Sequence, residues 1–296
     1  MDFTEIAIIG IDGEAAEVVS DLFNRYGYGG AVIEALAPDF EKVTVRTVLP
    51  AEDKDRLREI EVLLALIGQA LPKGLPEPRL QPVGASDWAT SWKEHFHVVR
   101  IGRRFVIKPS WRDYTPAAED IVIEIDPGLA FGSGLHPTTQ LCLKIFEEMD
   151  LTDQELFDVG TGSGVLSIAA LKSGAAWVRA VDVDDVAVRV ADENFERNGL
   201  TNRVETAVGS AADKGGRDWP LVVANILAHI LIEIMPGLAA ALTPNGVLIL
   251  SGMIADQENE VTQAAQSQGL AIVNRYSHED WVALIAKKTS SASKTS

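Results

Sequence analysis

The chain has 296 residues, long enough for two domains of ordinary size, and its 47% apolar composition supplies ample core. Its net charge of −17 is unevenly placed: residues 1–85 carry 15 acidic and 8 basic side chains, residues 86–116 carry 3 and 6, and the remainder 25 and 12. An acidic surface repels phosphate backbones and attracts basic partners, so direct nucleic-acid binding is not expected. The single cysteine, Cys142, excludes an intrachain disulfide and fits a reducing compartment; in the run Leu141-Cys142-Leu143 it reads as a buried structural thiol. Asp2 and Glu5 replace the basic start of a signal peptide, and the most apolar stretch, 226–242, is broken by His229, Glu233 and Pro236. A soluble cytoplasmic protein with no membrane partner is the expectation.

Residues 1–85 read as β-α-β-β-α-β. Strands are expected at 3–9, 31–36, 42–49 and 79–83 and helices at 13–26 and 53–70, with Asp12 capping the first helix and Pro38-Asp39 turning the chain. That order is the one found in a ferredoxin-like split module. Such modules often bind RNA through stacking aromatics, but 42–49 has none, which favours protein binding or domain packing.

Residues 86–116 read as a connecting segment. Ser86 is expected to cap a short helix through Phe96, and 98–101 with 105–108 to form a hairpin turning at Gly102-Arg103. Trp88, Trp92 and Trp111 fall here. They are expected to cement two domains together while the arginines face water; the alternative for a basic, aromatic stretch is nucleic acid.

The third region, 117–288, alternates strands and helices as a parallel sheet covered on both faces would. Strands are expected at 156–159, 177–182, 203–208, 220–224, 246–251, 270–275 and 281–286, and helices at 137–149, 163–173, 184–198, 226–241 and 256–268. The tail, 289–296, is Ser/Thr/Lys-rich and expected to be disordered.

Within this region Phe157-Asp158-Val159-Gly160-Thr161-Gly162-Ser163-Gly164-Val165 reads as a strand end, a glycine-rich turn and a helix start, and the next strand ends on Asp182. A β-α-β unit with a carboxylate at its second strand tip is the usual layout for a nucleoside cofactor, the carboxylate accepting both ribose hydroxyls. A dinucleotide fingerprint needs glycine at the sixth place, where this chain has Val165. Glycine falls instead at the first, third and fifth places, which resembles the S-adenosylmethionine (SAM) loop of class I methyltransferases.

Two further stretches carry polar groups where such a cofactor would need them. In Asp126-Pro127-Gly128-Leu129-Ala130-Phe131-Gly132-Ser133-Gly134-Leu135-His136-Pro137-Thr138-Thr139 the glycines and prolines make a shaped loop, and Pro137 places the threonines at a helix start. Their hydroxyls suit the carboxylate of the cofactor's methionine portion, or else merely cap the helix. His136 suits a loop hydrogen bond better than a general base. In Val222-Val223-Ala224-Asn225-Ile226-Leu227-Ala228 the strand ends on Asn225, whose carbonyl can accept hydrogens from an amine and aim its lone pair. Capping of the following helix is the alternative for Asn225.

Taken together, DPGLAFGSGLHPTTQLCL, DVGTGSGVLSIAALKSGA, VVANILAHIL and LILSGMIADQ resemble the ribosomal protein L-eleven (L11) methyltransferase family, PrmA, over about residues 85–288. The resemblance implies a class I, Rossmann-like α/β domain with a seven-stranded sheet, and a smaller N-terminal ferredoxin-like domain that recognises substrate. It implies SAM-dependent N-methylation of lysine side chains and the α-amine of L11, a basic partner, with no metal. Carried over by motif, the SAM contacts are Thr139, Gly160, Asp182 and Asn225; Gly162 in the same turn is a further candidate cofactor contact, and Asn225 is also the candidate for positioning the amine. The third strand ends Val208-Gly209-Ser210-Ala211 without the acidic residue that often meets adenine, which leaves that contact open.

Overall fold

The computed structural model describes residues 3–35, 42–84, 97–126 and 136–288. These fall into two compact units, one drawn from the chain up to His97 and the other from Val98 onward. The Pro38-Asp39 turn, the helix expected from Ser86, Trp88, Trp92, most of the Asp126–Thr139 loop and the tail lie outside the described residues.

The first unit runs β1 (Phe3–Ile11), α1 (Gly13–Tyr26), β2 (Tyr28–Ala35), β3 (Val43–Pro50), α2 (Lys54–Ala70) and β4 (Arg79–Val83). Its sheet has the order β2-β3-β1-β4, with β1 antiparallel to both neighbours, as in a ferredoxin-like module. Strand alternation sends Ile6 and Ile8 to one face. There, with Val45 and Leu49, they join the cluster that holds Val19 and Phe23 of α1 and Ile60 and Leu64 of α2. Both helices start on an aspartate whose Oδ1 takes an otherwise unpaired backbone N–H, Asp12 from Ala15 at 3.1 Å and Asp53 from Arg56 at 3.2 Å. The second strand begins earlier than expected because Gly27 is already extended, with φ −77° and ψ 155°.

The second unit opens with β5 (Val99–Ile101), β6 (Phe105–Lys108) and β7 (Ile121–Glu124), a small sheet in which β6 is antiparallel to β5 and parallel to β7. The hairpin read as part of a connecting segment therefore lies inside this unit. The cause is apolar: Ile101, Phe105 and Ile107 are buried in one cluster with Ile123, Leu143 and Phe146. The Glu147 carboxylate fastens the turn, accepting the backbone N–H groups of Arg103 and Arg104 at 2.9 and 2.6 Å.

Next come α3 (Pro137–Glu148), β8 (Glu155–Val159), α4 (Val165–Lys172), β9 (Trp177–Asp182), α5 (Asp185–Arg197), β10 (Val204–Val208), β11 (Trp219–Asn225), α6 (Ala228–Ala241), β12 (Leu242–Ile254), α7 (Glu258–Ser267), β13 (Leu270–His278) and β14 (Trp281–Lys288). The seven strands from β8 onward form one sheet in the order β10-β9-β8-β11-β12-β14-β13, parallel except where β14 runs antiparallel to β12 and β13. This is the class I methyltransferase sheet. Its strands are apolar on both sides because both faces are covered. Leu156 and Val223 face the layer of Leu141, Ile168 and Phe195, whereas Phe157 and Val222 face Leu231, Met235 and Val261. Among the described residues no helix is long and apolar enough to cross a membrane.

Helices α4 and α6 start later than expected, each for a visible reason. Gly164 takes the left-handed conformation at φ 82°, so α4 cannot begin before Val165. Ile226 N donates to Ser251 O at 3.1 Å, prolonging the pairing of β11 with β12 and delaying α6 to Ala228.

Candidate active site

Strand order reverses between β8 and β11, and the crevice beyond the carboxyl ends of such a pair is where open α/β sheets take their ligands. The tip of β8 leads into the glycine turn. Gly160 N and Thr161 N donate to Val181 O at 2.9 and 3.0 Å, Gly162 N donates to Asp182 Oδ2 at 2.9 Å, and Asn194 Nδ2 holds Ser163 O at 2.9 Å. Asp182 thus ends β9 beside the turn, its other oxygen accepting from Asp184 N at 3.1 Å. Desolvation raises the Asp182 carboxyl above its ordinary range, with the backbone bonds from Asp184 and Gly162 opposing that rise. A ligand that donates hydrogen bonds here favours the charged form.

Asp158, the last charged group of β8, is buried; its Oδ2 accepts from Thr161 Oγ1 at 2.8 Å and Ser167 Oγ at 2.6 Å. It braces the turn against α4. Burial pushes its carboxyl up to about 6 from 3.8. Across that window the folded protein keeps a proton that the unfolded chain has released, so stability falls as pH rises from about 4 to about 6. The Asp158→Asn variant keeps the shape without titrating. Wild type should lose stability relative to that variant over the same window, on the order of 3 kcal/mol by urea denaturation. A gap that stays constant with pH would show that Asp158 is not so shifted.

Asn225 ends β11 opposite Ser251 of β12. Its Nδ2 donates to Thr139 Oγ1 at 3.2 Å, while its Oδ1 is buried with no hydrogen-bond partner among the described residues. It does not cap α6, whose N-cap is Leu227 with no side-chain bond. A buried acceptor left empty costs about 1–3 kcal/mol, which marks the atom as a place for a ligand's donor. Thr138 and Thr139 are both 1% exposed in the first turn of α3. The cap of that helix is His136, whose Nδ1 lies 2.7 Å from Thr138 Oγ1 and accepts from Thr138 N at 3.4 Å. Its ring stands edge-on to Trp281, centroids 4.6 Å apart, and burial pushes it down to about 4. Neutral and engaged through Nδ1, it is too weak a base to serve as proton acceptor near neutrality.

The model of the family described as ribosomal protein L11 methyltransferase (PrmA) matches residues 2–289. The chain belongs to this family. A ribosomal protein L11 methyltransferase of Pelotomaculum thermopropionicum is 42% identical over 294 residues, covering 93% of this chain and 95% of the relative. One of Chloroflexus aurantiacus is 40% identical over 322 residues, covering 96% and 97%. A solved ribosomal protein L11 methylase of Lactobacillus delbrueckii subsp. bulgaricus superposes with TM-score 0.62 at 35% identity, covering 66% of this chain and all of that one.

In this member of the PrmA family two of the glycines serve the protein's own packing. A Cβ on Gly160, at φ 76°, would lie 2.3 Å from Ile226 Cγ2; on Gly252, at φ 93°, it would lie 2.2 Å from Ile226 O. The second clash is with backbone and cannot be relieved by a rotamer. Gly252→Ala should cost about 2–4 kcal/mol of stability in denaturant titration, because both strain and overpacking act at the tip of β11. Stability equal to wild type would mean the two tips do not approach this closely.

Sequence reasoning missed three features of the site. Ser251 lies within LILSGMIADQ, but nothing in the pattern shows that its Oγ donates to Thr138 O at 3.3 Å. Thr161 and Ser167 gave no signal as partners of Asp158. Val183 and Val208 are 76% and 58% exposed, and Val208 is the register partner of Asp182, so apolar surface lies beside that carboxylate. Cys142, by contrast, is buried as expected, its thiol pushed up to about 12 by burial.

Proposed function

We propose that this protein transfers methyl groups from SAM to lysine side chains and the N-terminal α-amine of ribosomal protein L11, in the cytoplasm. The observation that carries this reading is the buried Oδ1 of Asn225, without a hydrogen-bond partner among the described residues, at the strand-order reversal of a PrmA-family sheet. The residues present suit SAM. Asp182 faces a cis-diol's needs, Val183 and Val208 offer apolar surface for adenine, Gly160 and Gly162 belong to the adjoining turn, and Thr139 has a hydroxyl for a carboxylate. When bound, SAM would supply an electrophilic sulfonium methyl: the amine's lone pair would form the N–C bond as the C–S bond breaks, and one N–H proton of the methylated ammonium would go to water.

The chain's own task is positioning. A lysine ammonium must first lose a proton, which costs about 4.6 kcal/mol at pH 7 and is simplest as loss to solvent before docking. Asn225 Oδ1 then accepts an N–H of the neutral amine and fixes where its lone pair points. Residues 1–85, with their acidic balance, are proposed to hold the basic protein substrate.

Incubation with SAM and purified L11, read by intact mass and then by peptide mapping, tests the whole reading. Methyl increments on lysines and the N-terminal residue are expected; increments only on a free small-molecule amine would replace it. Removal of residues 1–85 should leave SAM binding intact and reduce methylation of L11 at physiological salt by tenfold or more, as an avidity loss of about 1.4 kcal/mol requires. Full activity of the shortened chain on L11 would end the recognition role of that unit.

A further inference from the structure

A side-chain amide can sit in its slot in two ways, and only one presents an acceptor to an incoming amine. In this structure the amide turns its nitrogen to Thr139, whose hydroxyl can only accept from it once its own proton is committed to another group. Asn225 Nδ2 donates to Thr139 Oγ1 at 3.2 Å, and Oδ1 is the amide atom without a partner among the described residues. Thr139 is buried and cannot swing away, and its segment is tied to the neighbouring strand by Ser251 Oγ, which donates to Thr138 O. Ser251 is itself the register partner of Asn225. Residues 86 positions apart in the chain are thereby locked into one small frame.

We infer that Thr139 is the positioning residue of the amine site, its hydroxyl oxygen holding the Asn225 amide so that Oδ1 faces the substrate. This rests on the reading that Asn225 accepts a hydrogen from the amine. A hydroxyl has one proton and two lone pairs. One lone pair is taken by Asn225, and among the described residues the proton has no acceptor. It is free to go to an anion, and the carboxylate of the methionine portion of SAM is the group of that class the reaction supplies. Donating that proton polarises the oxygen and strengthens its grip on Asn225. Cofactor binding and orientation of the amine acceptor are therefore one coupled event, made through a single hydroxyl.

The test is a double-mutant cycle with a second readout that does not depend on turnover. Thr139→Val keeps the shape and removes the oxygen, Thr139→Ala removes it without adding bulk, and Thr139→Ser restores it. Each is made with and without Asn225→Ala, and single-turnover transfer to L11 is measured at saturating SAM. Loss of the hydroxyl should slow transfer about tenfold beside Asn225 but less than about twofold beside Asn225→Ala, with Thr139→Ser close to wild type. In parallel, the side-chain amide resonance of Asn225, assigned by its loss in Asn225→Ala, reports hydrogen exchange with water. Its exchange should be faster in Thr139→Val and Thr139→Ala, and SAM should slow it only where the hydroxyl is present. Additive rate penalties, or amide exchange indifferent to the hydroxyl, overturn the inference while leaving Asn225 in its role. A wild-type rate for Asn225→Ala alone overturns both the role of Asn225 and the inference built on it.

Discussion

Asn225→Ala should slow methyl transfer at saturating SAM by about 30- to 1,000-fold, the 2–4 kcal/mol that one positioned hydrogen bond commonly contributes to a transition state. The reason is geometric. Oδ1 is a buried acceptor at the tip of β11 without a partner among the described residues, so it can accept an N–H of an amine that docks there. SAM affinity should fall by a smaller factor, through the loosened Thr139 hydroxyl. Single-turnover rates and calorimetric titration separate the two quantities. The variant should also fold well, since removing an unsatisfied buried oxygen relieves a cost as well as losing the bond to Thr139. A wild-type single-turnover rate would show that the amine is oriented by other groups.

The parts of this molecule legible in the sequence are those governed by short-range physics. Continuous apolar runs such as Leu221 to Ala224 announced strands buried on two faces, and Asp12 announced a helix cap. The turn from Gly160 to Gly164 was visible because three glycines adopt positive φ within five residues. What could not be read was long-range pairing. Nothing local in ANILA says that β11 lies beside β8, or that its Asn225 meets Thr139; the family resemblance implied only that both residues contact one cofactor, and their bond and the frame through Ser251 came with the fold. The role of Asp158 was half legible. Its place before the glycine turn was visible, but not that its oxygen is spent inside the protein on Thr161 and Ser167. The hairpin through Phe105 was recognised, but its unit was not, because burial of Ile101, Phe105 and Ile107 depends on partners that follow in the chain.

Asp182→Ala should weaken SAM binding by about 10²- to 10³-fold, the loss expected when two charge-assisted hydrogen bonds of about 1.5–3 kcal/mol are removed and water partly replaces them. The count of two comes from the carboxylate itself. An ionised carboxylate offers about four lone-pair sites. Gly162 N and Asp184 N use one on each oxygen, leaving one on each for the two hydroxyls of a ribose. Because desolvation raises this carboxyl before a ligand arrives, hydroxyl donors that favour the ionised form must pull it back down. Binding therefore releases protons, and SAM affinity should weaken as pH falls into the acid range. Asp182→Asn distinguishes the ribose contact from simple bracing of the turn. It keeps one oxygen for Gly162 N but turns its Nδ2 on Asp184 N, so bracing alone predicts lower stability of the ligand-free protein with a modest loss of affinity, whereas loss of charge and of an acceptor to the ribose predicts a large part of the alanine defect in affinity. Calorimetric titration of both variants at neutral and mildly acidic pH decides the matter. Wild-type affinity in Asp182→Ala, or affinity unchanged by acid in the wild type, would remove this carboxylate from the cofactor site.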